Sequence, residues 1–308
     1  MTIIENQNRP DIALGLDKQA IAGAATLITP KIFPSVVVGE KAGKLYAAKV
    51  ITGGGQKNRT KGNAVSAARV EAVETNYSVD SYEGRDIFGD EDIKDAGGVE
   101  NAIVAGARGA AYDAFKLYET DGWTTLSGAF AGNSYDPVEI TTSAAFANLA
   151  EAADKVKRYG KPLLVCSETF IRDFVKIPDV RETLTTLYAH DWFKDIRDLG
   201  TVNPGLGLAL GVDSVLIGDD TMLPAEAASA AYVVGYREEA KEDARNVIKR
   251  LPSLGYTAQF LPEENSTVDQ PFAVSQGYLP TTKDCFVDVD YWAQPVVANK
   301  EAVAKVTL

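Results

Sequence analysis

The chain has one histidine, His190, in the segment Ala189-His-Asp-Trp192, and a catalytic reading has to start there. A triad would pair it with Asp191 and a serine. Gly-x-Ser-x-Gly is absent, and the nearest approach, Ala273-Val-Ser275-Gln-Gly277, follows the histidine, against the hydrolase order. His190 is read as a surface or packing residue. One histidine and two separated cysteines cannot supply a spacing-defined set of four metal ligands. Cys166 and Cys285 both lie in apolar, strand-like runs, where a thiol serves as a small buried hydrophobe. The glycines of Gly53-Gly-Gly-Gln-Lys-Asn-Arg-Thr-Lys61 lack the Gly-Lys-[Ser/Thr] ending of a phosphate loop, and Gly205-Leu-Gly207-Leu-Ala-Leu-Gly211 follows a proline instead of a strand. The first reads as a loop tip and the second as a helix with a glycine cap. No catalytic, cofactor or metal residue is assigned, and no cofactor is expected.

Charge remains as the chemistry on offer. Residues 40–62 hold Lys41, Lys44, Lys49, Lys57, Arg59 and Lys61 against only Glu40. Residues 80–95 hold Asp80, Glu83, Asp86, Asp90, Glu91, Asp92 and Asp95 against Arg85 and Lys94, without the Asp-x-Asp-x-Asp-Gly spacing of a calcium loop. A basic segment and an acidic one adjoin in sequence, as they would if one copy's ribbon lay over the next copy's platform, pairing that gives register more than affinity. In residues 237–250 a helix would stack Lys241, Arg245 and Lys249 in one stripe and Glu238 with Glu242 in another; like charges at that spacing disfavour an isolated helix and suit a partner. A solvated acidic face at 80–95 and a solvated loop at 237–250 are the plain readings; the alternative is a subunit interface comprising Lys44, Lys57, Arg59, Lys61, Asp86, Asp90, Glu91, Asp92, Glu238, Lys241, Glu242 and Arg245.

Several elements must carry these charges. Asp17 can cap a short helix over 18–26 in an otherwise aperiodic arm. Residues 32–38 and 44–50 read as a hairpin across the turn at 39–43, and 68–79 as the strand returning from a polar, glycine-rich tip. The apolar spacing predicts a helix over 99–118 whose other positions are mostly small, so neighbouring backbone can come close. A second amphipathic helix is predicted over 141–159, ended by Gly160. Strands and short helices then alternate: strand 163–166, helices 168–176 and 205–210, and strands 212–218, 228–236 and 257–261. A β-rich stretch follows from 272 to 308.

The bulk numbers bound the class. With 308 residues, 45% apolar, the chain is a folded globular protein of two domains or one elaborated domain. Forty-three acidic against 31 basic residues give a net charge of -12, the wrong sign for gripping nucleic acid over a whole surface. Neither an export signal nor a membrane-length apolar run is visible.

In this order of elements the chain resembles the major capsid proteins of tailed bacteriophages. Ile28-Thr-Pro-Lys-Ile-Phe-Pro-Ser-Val-Val-Val-Gly-Glu-Lys-Ala-Gly-Lys-Leu-Tyr46 resembles that family's passage from N-terminal arm into extended loop. Tyr77-Ser-Val-Asp-Ser-Tyr82, with Asp90-Glu-Asp92 after it, is similar to the return into the long spine helix. Pro162-Leu-Leu-Val-Cys-Ser-Glu-Thr-Phe170, Ile177-Pro-Asp-Val180 and Leu208-Ala-Leu-Gly-Val-Asp-Ser-Val-Leu-Ile-Gly218 are similar to the axial domain, and Pro252-Ser-Leu-Gly-Tyr-Thr257 to the approach back to the peripheral domain.

The resemblance spans nearly the whole chain and implies an α+β, Hong Kong 97-like capsid fold. Its parts would be an N-terminal arm at 1–31, an extended loop at 32–80, a peripheral domain at 81–135 and 262–308, and an inserted axial α/β domain at 136–261. It implies a non-enzymatic subunit closing as pentamers and hexamers into an icosahedral shell around packaged double-stranded DNA, assembled in host cytoplasm and residing in the virion. A portal is implied as a partner, with a decoration protein left open. The short arm implies a separate scaffolding protein, or prior removal of a fused one. An encapsulin-like nanocompartment subunit and an α/β enzyme centred on 136–261 are the alternatives.

Overall fold

The computed structural model describes residues 7–16, 27–48, 72–188, 202–221, 223–224, 231–236, 254–262, 271–279, 282 and 284–308. Elements are numbered along the chain. A first sheet contains β1 (Gln7–Asn8), β2 (Ser35–Val38), β5 (Asp80–Phe88), β11 (Gly255–Phe260), β12 (Phe272–Leu279) and β13 (Asp284–Val297). A second contains β6 (Val138–Glu139), β7 (Lys161–Ser167), β8 (Val202–Asn203), β9 (Ser214–Gly218), β10 (Ala231–Tyr236) and β14 (Val303–Thr307). A separate ribbon pairs β3 (Ala42–Ala48) with β4 (Ala72–Ser78). The helices are α1 (Pro10–Gly15), α2 (Thr29–Ile32), α3 (Asp90–Asp95), α4 (Val99–Ala131), α5 (Ala145–Val156), α6 (Glu168–Phe174), α7 (Pro178–Tyr188) and α8 (Pro204–Leu210).

Strand β13 organises the first sheet because its residues alternate. Cys285, Val287, Val289, Tyr291 and Ala293 are buried against α4, and the residues between them face the other way. Ala293 has both Asp80 and Gln259 as register partners, so β5 and β11 flank it on opposite sides. β12 pairs along 284–291 on the β11 side, which leaves β5 as an edge strand.

Helix α4 was expected to end near 118, short of Gly122, but it runs 33 residues to Ala131, about 50 Å at the α-helical rise. Gly122 does not stop the helix; it makes room. A Cβ there would lie 2.1 Å from Oγ1 of Thr29. The same device works at Gly84 of β5, where a Cβ would fall 1.8 Å from the Ala110 carbonyl oxygen, so sheet and helix backbones touch. Phe115, Tyr118, Tyr82, Tyr291 and Phe272 fill the space beside this contact.

The end of α4 enters a different core. Trp123, Leu126 and Ala129 join Ile28, Ile32 and Phe33 from the entering chain and Leu163, Val165, Leu216, Tyr232 and Val234 from the second sheet. Glu119, 1% exposed, accepts the backbone N–H groups of Ile28 and Thr29, each at 2.9 Å. Burial pushes its carboxyl above the ordinary glutamate value, against the pull of those two donors, the Thr29 side chain and Lys31.

Three expectations change here. Residues 32–38 are not half of a hairpin with 44–50: β2 pairs in parallel with β11, Val36 opposite Ala258, while β3 pairs with β4. Val36 and Val38 are buried at that position, a gain no exposed hairpin offers. Strand β11, placed at the exit of the α/β unit, pairs in the first sheet, and β14, grouped with the rest of 262–308, pairs between β10 and β6 in the second. The second amphipathic helix is shorter than 141–159: α5 begins at Ala145, because Asn148 Oδ1 accepts both the N–H and the hydroxyl of Thr141, and a 3-10 turn carries Lys157–Tyr159 to Gly160. The helix expected over 18–26 lies outside the described residues.

Candidate assembly surface

The acidic segment folds into a strand and a helix with different exposures. On β5, Ser81, Glu83, Arg85 and Ile87 share the outer face with their β13 partners Trp292, Asp290, Asp288 and Phe286. Gly84 and Phe88 point inward. Arg85 makes a two-pronged ion pair with Asp288, Nε to Oδ1 at 2.5 Å and a terminal nitrogen to Oδ2 at 2.7 Å, and its guanidinium lies 4.8 Å from the Phe286 ring centre.

Glu83 faces Asp290 in register, two like charges directly opposed. Partial burial holds the Asp290 carboxyl above the usual aspartate value; the Ser81 hydroxyl, donating at 3.1 Å, and Lys41 oppose that, while Glu83 and Asp288 add to it. Asp86 lies over α4, with Oδ2 2.9 Å from where a Gly106 Cβ would sit. Asp90, Glu91 and Asp92 occupy the first turn of α3, where the N-terminal end of the helix favours negative charge, and Asp92 accepts the Gly89 N–H at 2.8 Å. No residue of α3 is buried.

Asp86 stands near the end of β5, and Asp90, Glu91 and Asp92 form the first turn of α3 directly after it. Lys44 stands on the ribbon, where Nζ pairs with Glu74 of the neighbouring strand at 2.5 Å. Lys57, Arg59, Lys61, Glu238, Lys241, Glu242 and Arg245 lie outside the described residues, as does His190. Sequence reasoning missed Asp288 and Asp290, which β13 brings beside the acidic segment from about 200 residues away. Alternation in 284–294 was the available signal: it puts every second residue on the face away from the core.

The residues weighed for other chemistry find plain roles. Both cysteines are free and buried, and burial raises each thiol above its usual value. Ser275 sits mid-strand in β12, opposite Asn8 and Asp288, not on a strand-to-helix turn. The glycine-rich 205–211 segment is α8 followed by Gly211 at φ 77°, a glycine C-cap. Among the described residues no helix is long and apolar enough to cross a membrane.

No protein-family model and no curated relative matches the chain. Solved structures do. A phage-related protein from Bordetella bronchiseptica RB50 superposes with a TM-score of 0.64 at 15% identity, covering 99% of this chain and 98% of its own. The protein assigned as the capsid protein of an Escherichia coli CFT073 prophage gives 0.53 at 10% identity over 99% and 100% of the two chains. A Mycobacterium phage Adephagia structure gives 0.51 at 12% identity over 97% of each. This chain has the Hong Kong 97-like, α+β capsid fold. Within that capsid fold α4 is the spine, the β3–β4 ribbon stands apart from both sheets, and β5 with α3 lies directly after the ribbon's return strand.

Proposed function

We propose that the chain is the shell-forming subunit of a tailed bacteriophage, its major capsid protein, and that it is not an enzyme. The observation that carries this reading is the likeness in fold over nearly the whole of both chains, ribbon included, to the prophage protein assigned as a capsid protein. Subunits would gather as pentamers and hexamers and close into an icosahedral shell around double-stranded DNA in the host cytoplasm, with a separate scaffolding protein and a portal as partners. A net charge of -12 suits an inner surface that touches packaged DNA loosely. The division into an arm (1–31), a loop (32–80), a peripheral part (81–135 and 262–308) and an axial part (136–261) belongs to this reading. The strand pairing supports moving 303–307 to the axial part and 255–260 to the peripheral one.

Assembly contacts follow from charge. The basic ribbon of one subunit, through Lys57, Arg59 and Lys61, would lie along the acidic surface of the next, formed by Asp86, Asp90, Glu91 and Asp92. Glu83 and Asp290 lie on the opposite face of the sheet from Asp86 and would offer a second acidic patch there. Glu238, Lys241, Glu242 and Arg245 would pair between copies around a capsomer axis. Negative-stain microscopy of the protein, expressed alone and with its gene neighbours, tests the reading. Uniform closed shells are expected, and monomers or dimers under every condition would overturn it in favour of an α/β enzyme. A portal or terminase gene alongside separates a phage shell from a cellular nanocompartment.

A further inference from the structure

Both strands of the ribbon lose their main-chain pairing to the body at the same level. On one side β2 ends at Val38, opposite Phe260; on the other, β5 begins at Asp80, opposite Ala293. Only residues 39–41 and Val79 lie between those points and the ribbon's own ladder, which opens with Ala42 opposite Ser78. Neither ribbon strand belongs to a six-stranded sheet.

Side chains cross the gap instead. Nζ of Lys41 stands 3.3 Å above the centre of the Trp292 ring and 5.6 Å from that of Phe260, which stacks on Trp292. Trp292 is oriented in turn, its indole N–H donating to Ser81 Oγ at 3.2 Å. Gln294 Oε1 accepts the Ser78 N–H at 2.7 Å. Beneath these contacts Val38, Tyr77, Val79, Ala258 and Val296 form a small apolar cluster. Apolar contact holds the ribbon's base without prescribing its direction, since it is non-directional. The ring-stacked cation and the amide bond do prescribe it.

We propose that Lys41 on Trp292, together with Ser78 on Gln294, is a breakable latch that sets the angle between ribbon and body. A subunit could then hold its ribbon at one angle in one shell position and at another elsewhere. The use of the latch rests on the shell-forming reading above; its existence does not.

Hydrogen exchange resolved to single amides, on the unassembled full chain, tests the latch itself. Lys41→Met keeps the length and removes the cation. It should speed exchange of the Ser78 amide by about 5-fold, the worth of one exposed ring-stacked cation. Amides of β13 that pair with β12 should be unchanged, and so should the melting midpoint. Lys41→Arg should restore slow exchange, and Gln294→Ala should reproduce the effect of Lys41→Met. Unchanged Ser78 exchange in Lys41→Met overturns the proposal, and so does a uniform rise across the chain with a lowered melting midpoint, which would mark an ordinary stabilising contact. In shells, Lys41→Met should widen the spread of particle diameters; a spread equal to that of the wild type removes the assembly role. Failure of the wild type to form shells would sink the shell-forming reading and leave the exchange result to decide the latch.

Discussion

Glu119 shows how one residue ties distant parts of the chain. It projects from the middle of α4, meets two backbone N–H groups of the entering segment, and is almost fully enclosed. Its carboxyl is held above the ordinary value, so the folded state takes up a proton more readily than the unfolded chain does. The stability this contributes is present at low pH and is lost as pH rises through the raised value. Glu119→Gln does not titrate, and its amide N–H groups face one of the two backbone donors. Measured by urea unfolding, the stability of the wild type relative to Glu119→Gln should therefore grow as pH falls from 7 through the carboxylate range. A difference that shrinks on acidification would mean that the two amide donors outweigh burial. Nothing near Glu119 in sequence marks it, because its partners lie about 90 residues earlier in the chain.

Among the elements, the pairing of α4 with β5 and β13 shows most directly what small residues do. The small positions of 99–118 foretold a close approach, and Gly84 against Ala110 realises it. Gly84→Ala drives a Cβ into a carbonyl that belongs to a packed helix and cannot step aside. It should lower unfolding stability by about 3 kcal/mol, the range of an overpacked core. Gly128 lies in the same helix with nothing within 4 Å of its would-be Cβ, and Gly128→Ala should raise stability by about 0.5–1 kcal/mol through helix propensity. Chemical denaturation of the two variants checks both, and equal effects would show that the helix and strand do not touch as described. Other elements were less legible. β2 reads as a strand from its valines, yet its parallel partner β11 comes from more than 200 residues later, and no local pattern announces such a pairing.

At the scale of the whole molecule, two six-stranded sheets are laced together, since α4 serves both cores and the chain returns to the second sheet through β14 after completing the first. The ribbon is outside this lacing, and the proposed shell-forming role would give it the contacts between copies. Reversing Lys57, Arg59 and Lys61 to glutamate should block shell formation while far-ultraviolet circular dichroism and the melting midpoint stay at wild-type values. Shells of normal yield from that variant would discard the basic-on-acidic pairing. Raising the salt concentration should weaken assembly of the wild type in the same direction, because exposed charges are screened beyond about 8 Å at physiological ionic strength.

Local pattern was enough to determine the start of the long helix though not its end, the alternation of β13, the burial of both thiols, the glycine cap after α8, and the succession of a basic segment and an acidic one along the chain. Each depends on near neighbours in the chain, through periodicity, capping or charge. The tertiary structure alone decided where β2, β11 and β14 pair, why Gly122 lies inside a helix, and that Asp288 and Asp290 stand opposite Arg85 and Glu83 of the acidic segment. Each of these is settled by atoms tens to hundreds of residues away along the chain, whose contact energy has no counterpart in local spacing.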